Sequence, residues 1–203
     1  MLERVDGPTM WQQLQAEPDS AAHLGRTLSE LQRRVFELTP SFDLPRQCDR
    51  LQVKLRLAGR AFGLRLEPLT EFVRSAEART RDLGICHGDL HPHNVVMTPS
   101  RGPVLVDWFD AGAGVLAADI ARTSILLQSV SGDPLRRAGP ELAPVLASLC
   151  AAYLDAACDS AGLDPDDLDR WVTVQLAARL AEGLGDGCVA EVESRLARFG
   201  YAG

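Results

Sequence analysis

Three side chains in one stretch of this chain could together move a phosphate. The stretch at residues 86–110 reads CHGDLHPHNVVMTPSRGPVLVDWFD. Asp89 and Asn94 precede a short β-prone run at 95–97. Residues 99–102 read as a turn, and a second run follows at 104–106, ending on Asp107. Pairing the two runs as a hairpin brings Asp107 back beside Asn94. An amide oxygen and a carboxylate oxygen are hard ligands suited to Mg²⁺. Asp89 is then left to accept a hydrogen bond from a substrate hydroxyl. Phosphoryl transfer needs these parts: metal ligands on the phosphates and a carboxylate that orients the nucleophile.

The elements that must hold this stretch are mainly helical. Thr9, with Gln12 three residues on, reads as a capping box opening a first helix that Pro18 ends. A second helix is expected over 19–38, with Leu24, Leu28, Leu31, Val35 and Leu38 on one buried face. Residues 39–84 read as two helices, near 45–57 and 68–81, separated by Gly59 and Gly63. The AGAG at 111–114 reads as a flexible segment, and 119–130 as a helix with Ile120, Leu127 and Val130 inward. A turn is expected at 132–134. Val145, Leu146, Leu149, Tyr153, Leu154, Ala157 and Cys158 trace one further face. Trp171, Leu176, Leu180 and Leu184 trace another, and Val189, Val192, Leu196 and Phe199 a last one. Asp164 and Pro165 mark a helix start. GLGDG at 183–187 reads as a helix end and loop.

HGDLHPHN resembles the catalytic loop of the aminoglycoside phosphotransferase/choline kinase family, relatives of the protein kinases. VLVDWFDAG is similar to that family's second metal-binding segment. The resemblance implies Asp89 as catalytic aspartate, Asn94 and Asp107 as metal ligands, and His87 as a structural histidine. It also implies that Asp119, in AADIAR, holds the catalytic loop through backbone N–H groups. The opening LERVDGPTM is similar to the interlobe hinge and first C-lobe helix. Backbone groups of Leu2, Glu3 and Val5 would then meet the adenine. The expected fold class is mainly α (α+β), a protein-kinase-like C-terminal lobe with a small β-hairpin at the catalytic loop. The expected organisation is a hinge stub at 1–8 and the lobe at 9–203. Within that lobe, 39–84 is a variable helical insert, 85–114 the catalytic and metal-binding segment, and 115–203 the C-terminal helices.

The resemblance implies ATP or GTP and Mg²⁺ as cofactors and a small-molecule alcohol as substrate. The family's N-terminal lobe, with its glycine-rich loop and strand lysine, is expected to lie outside these residues. The sole lysine, Lys54, follows the hinge in a helical context. Residues 1–203 alone are therefore expected to show no ATP-dependent turnover. Two other readings compete. His87, His91 and His93 crowd the loop with Asp89, as a metallohydrolase's ligands could. A non-catalytic remnant acting as a binding module is the other.

Composition narrows the classes. The 203 residues are 46% hydrophobic, enough for a good core. A net charge of −7 argues against a nucleic-acid partner. Five cysteines without a CxxC pair and no signal peptide lead to a cytoplasmic expectation with buried free thiols. The longest apolar run, 142–154, is too short to span a bilayer. Charge is uneven: 46–81 holds nine basic and four acidic residues, 155–193 ten acidic and two basic. That asymmetry leans towards a cationic substrate, although DPDDLD at 164–169 also reads as a solvated helix start.

Overall fold

The structure, a computed structural model, describes residues 4–38, 43–81, 83–128, 142–183 and 187–201. Thr9 caps the first helix, α1 (Met10–Ala16): its side chain accepts from Gln12 N, and Gln12 Oε1 accepts from Thr9 N. The capping box therefore forms. Pro18 opens a 3₁₀ turn, Pro18–Ser20, which leads into α2 (Ala21–Phe36). Leu24, Leu28 and Leu31 of α2 are buried. Leu38 is 58% exposed, contrary to the periodic pattern, because the helix closes at Glu37 and releases the next residue into solvent.

Helix α3 (Gln47–Phe62) runs straight through Gly59, which was expected to separate two helices. Leu55 and Ala58 are buried beside it, and their packing outweighs the roughly 1 kcal/mol that an internal glycine costs. Gly63, in the left-handed region at φ 68°, ends the helix instead. Helix α4 (Glu67–Arg79) follows.

Two small antiparallel sheets carry the central stretch. Strand β1 (Gly84–Cys86) pairs with β4 (Gly112–Gly114), and β2 (Val95–Thr98) with β3 (Gly102–Leu105). The β2–β3 hairpin has Val95 opposite Leu105. Strand β4 corrects the reading of AGAG as a flexible segment. Its glycines offer no hydrophobic alternation, but they allow close approach. A Cβ on Gly114 would lie 2.4 Å from Gln47 Oε1, and one on Gly84 2.3 Å from Phe36 O. The segment before α1 runs along β2, with Met97 N donating to Pro8 O at 2.8 Å.

Helix α5 (Leu116–Leu127) starts three residues earlier than read, which leaves Asp119 in its first turn. Helices α6 (Ala143–Ala161), α7 (Pro165–Leu180) and α8 (Gly187–Arg198) complete the chain. Asp164 caps α7, accepting from Asp166 N at 2.8 Å, with Pro165 at the first helical position. Leu146, Leu149, Tyr153 and Ala157 form the buried face of α6. From Trp171 to Leu180 helix α7 is buried nearly all round, so its Trp171, Leu176 and Leu180 are part of a wider set. Val130, the 132–134 turn, Leu184 and the middle of GLGDG lie outside the described residues.

Two apolar clusters result. One gathers α1, α2 and α6 around Leu90 and Val95, the other α3, α4, α7 and α8. Helix α5 supplies both, with Ile120 and Leu127 to the first and Ala118, Ala121 and Ile125 to the second. Among the described residues no helix is long and apolar enough to cross a membrane. The described cysteines are all free, and Cys48, Cys86, Cys150 and Cys188 are buried.

Candidate active site

The loop between β1 and β2 is fixed from below by one carboxylate. Asp119 is 1% exposed. Its Oδ1 accepts from Gly88 N at 3.0 Å, and its Oδ2 from His87 N at 3.3 Å and Gln32 Nε2 at 2.8 Å. Burial raises the Asp119 pKa above the ordinary carboxylate value, and these donors with the nearby His87 work against that rise. Gln32 is itself held, its Oε1 accepting from Tyr153 O–H at 2.5 Å. Gly88 has φ 79°, and a Cβ there would lie 2.5 Å from Asp110 O, so only glycine fits this turn.

His87 braces the loop from above. Its Nδ1 accepts from Asp89 N at 3.3 Å, so the neutral ring carries its proton on Nε2, which donates to Val106 O at 3.0 Å. The histidine thus ties the backbone of Asp89 to the strand end that presents Asp107. Burial lowers the His87 pKa, against the charge of Asp119 and the bond to Val106, and favours this neutral form.

The hairpin register sets the other two positions. Val106 N donates to Asn94 O at 3.0 Å, so Asp107 emerges next to Asn94. Asn94 Nδ2 donates to Asp89 O at 2.9 Å and to Asp89 Oδ2 at 3.2 Å. Both are acceptors only, which fixes the amide orientation and turns its Oδ1 the other way. Asp107 is exposed, and among the described residues it makes no hydrogen bond or ion pair. It is the one described non-glycine residue with positive φ, at 63°. Two oxygens without protein partners, one amide and one carboxylate, fit a hard divalent cation.

Asp89 is half-buried. Burial pushes its carboxyl up, but His91 outweighs this, helped by Arg122 and His87, and the pKa lies below the ordinary value. His91 Nδ1 lies 3.3 Å from His93 N, and its Nε2 lies 3.3 Å from Asn94 Nδ2 and 3.5 Å from Asp89 Oδ2. His93 stacks on Trp11 with ring centroids 5.1 Å apart. The three histidines therefore do not converge: His87 bonds a carbonyl, His91 faces Asp89 and His93 packs on α1. Among the described residues no group of three or more His, Cys, Asp or Glu could hold a metal ion.

Sequence reasoning missed Gln32, Arg122 and Tyr153 as parts of this assembly, and weighed His91 only as one of a metallohydrolase's ligands. Gln32 left a trace, a polar residue four after Leu28 on the apolar face of α2. Of the hinge positions, Leu2 and Glu3 lie outside the described residues, and Val5 is half-buried ahead of α1.

The sequence matches the model of the phosphotransferase enzyme family (APH) over residues 1–159. The chain belongs to this family. No curated protein matches the sequence. Among solved structures, the chain is similar to the amicoumacin kinase hAmiN, in complex with AMP-PNP, Ca²⁺ and Ami. The identity is 13% and the TM-score 0.55, over 95% of this chain and 61% of that one. It is also similar to a choline kinase from Cryptosporidium parvum Iowa II, at 12% identity and TM-score 0.43, over 97% of this chain and 68% of that one. The chain thus spans about three fifths of the length of the amicoumacin kinase. This phosphotransferase-family chain has the protein-kinase-like fold, mostly helical with the small hairpin beside its catalytic loop.

Proposed function

We propose that the protein transfers the γ-phosphoryl group of ATP (or GTP) to a hydroxyl of a small molecule, with Mg²⁺. The observation that carries this reading is the convergence of Asp89, Asn94 and the strand end bearing Asp107, tied together by His87. Family membership supports it. So does the nucleotide analogue and divalent ion named with the amicoumacin kinase.

In this reading Asp89 accepts the hydrogen bond of the acceptor hydroxyl and takes its proton as the new O–P bond forms. The bond from Pγ to the bridging oxygen breaks, and the nucleoside diphosphate leaves. A depressed pKa keeps Asp89 ionised and ready to accept at neutral pH. Asn94 Oδ1 and the Asp107 carboxylate would hold Mg²⁺, which would supply positive charge against the phosphates. His87 and Asp119 position the loop and touch no reactant. Leu2, Glu3 and Val5 would present backbone groups to the adenine.

The test compares Asp89→Asn and Asp107→Asn with the parent, each joined to the N-terminal lobe that the family resemblance leads us to expect, in ATP-dependent phosphorylation, alongside melting curves. Asp89→Asn is expected to lose about 10²–10⁴-fold in rate, the range for a general base. Asp107→Asn is expected to abolish turnover and weaken Mg²⁺ binding with the fold kept. Normal turnover in Asp107→Asn would remove the metal role. Stoichiometric zinc in the purified protein would favour a metallohydrolase instead.

A further inference from the structure

Behind the catalytic loop lies a small cleft of about 50 Å³ whose walls include Arg50, Lys54, Gly88, Asp110 and Arg122. It shares Gly88 with the loop, and the charge of Arg122 is felt at Asp89. Its room, a few water molecules' worth, suits one carboxylate or phosphate group and not a sugar ring.

The polar lining of this cleft comprises three cations, two amides (Gln47 and Gln175) and Asp110, and two of the cations also pair with Glu182 beside it. Arg50 and Lys54 lie one turn apart on α3, and Arg122 reaches in from α5. Lys54 Nζ lies 2.6 Å from Glu182 Oε1, and Arg122 Nη1 3.5 Å from Glu182 Oε2. Arg122 Nε also donates to Gly88 O at 3.3 Å. Arg50 uses Nη1 on the carbonyl of Asp110 at 2.9 Å, which leaves most of its five donors for another acceptor. Lys54 and Arg122 thus face Glu182, and Arg50 bonds the backbone carbonyl of Asp110 on the rim. Each oxygen of Glu182 already faces a cation. Within the acidic run, Asp164 caps α7, and Asp169 pairs with Arg195 and Arg198.

We infer that the Arg50–Lys54–Arg122 cleft binds an anionic group of the acceptor, making the substrate an alcohol that also carries a carboxylate or a phosphate. The inference rests on the phosphotransferase reading for the word acceptor; the anion site itself rests on the cleft. Glu182 marks the position such a group occupies and competes with it.

The test is binding of glycerate, inorganic phosphate and uncharged glycerol to the purified protein, followed through the Nε–Hε NMR signals of Arg50 and Arg122. Both anions are expected to give saturable shifts, and glycerol none. Arg50→Gln is expected to weaken anion binding about tenfold, the loss of one charge-assisted hydrogen bond. Glu182→Gln is expected to strengthen it several-fold by removing the competitor. No saturable shift with either anion, or weaker binding in Glu182→Gln, overturns the site. Displacement of glycerate by ATP at a Mg²⁺ concentration that saturates the nucleotide assigns the cleft to nucleotide phosphates and overturns the acceptor assignment. The readout needs no turnover. Anion binding without phosphoryl transfer to any hydroxyl, in the protein joined to the family's N-terminal lobe, would sink the phosphotransferase reading alone.

Discussion

Replacing Asp119 with alanine removes the acceptor of three N–H donors at once: His87 N, Gly88 N and Gln32 Nε2. All lie in or beside the core, and a buried donor left without its partner costs about 1–3 kcal/mol. Water entering the vacated space recovers part of this, so the net loss is about 3–5 kcal/mol. That is a large share of the roughly 5–15 kcal/mol that holds a domain folded. For a chain of this size it lowers Tm by about 6–20 °C. Asparagine should behave differently. Its Oδ1 can still accept from the loop amides, and Gln32 can turn its amide to offer Oε1 to the new N–H₂. Gln32 Nε2 then faces the hydroxyl of Tyr153, which can accept. Burial also penalises the ionised form of Asp119, and the neutral amide escapes that penalty. Asp119→Asn should therefore lose only about 1–2 kcal/mol. The assay is urea and thermal unfolding of the parent, Asp119→Ala and Asp119→Asn. An alanine variant melting within about 2 °C of the parent, or an asparagine variant as unstable as alanine, would refute the reasoning.

Other outcomes follow from the same structure. Burial lowers the His87 pKa from 6.5, so below that pH the unfolded chain binds more protons than the folded one. Stability contributed by neutral His87 is complete above pH 6.5 and is lost as pH falls through its folded value. Asp119, raised, has the opposite sign at lower pH: its share is present below 3.8 and is lost as pH rises through its folded pKa. Urea midpoints should therefore drop from pH 6.5 downwards, and His87→Gln should flatten that slope. Gly25→Ala should destabilise by about 1–3 kcal/mol in thermal melts, because the added Cβ would sit 2.4 Å from Leu149 O on α6. With a thiol reagent at pH 8, partly exposed Cys158 should react first. Cys48, pushed up to about 12 by burial and then by Glu77, should react only on unfolding.

Local features of the chain were legible and distant ones were not. The hairpin at 95–105 could be read because it is a local pairing, with Asn94 facing Val106 at its open end. The caps at Thr9 and Asp164 were readable for the same reason. Strand β4 was invisible because its glycines carry no alternation. Its pairing with β1 depends on the close approach of α2 and α3. Helix α7 hid its full burial because a helix apolar on several sides has no single stripe to detect. Gln32 and Asp119 stand 87 residues apart, and only the packed fold brings them together. Counting acidic residues in the sequence cannot tell a cap or a paired Glu182 from a carboxylate open to substrate.

Helix α5 is the shared wall of both apolar clusters, and Asp119 projects from it into the catalytic loop. Loops ordinarily open and close independently of the core, and their amides exchange with solvent early. Two amides of this loop, at His87 and Gly88, end on a carboxylate with almost no solvent access. They cannot be freed without loosening α5, and α5 cannot loosen without disturbing both halves of the molecule. Hydrogen exchange at these two positions should thus be as slow as in the core helices. The segment that carries Asp89 behaves mechanically as part of the interior, although Asp89 itself faces the outside.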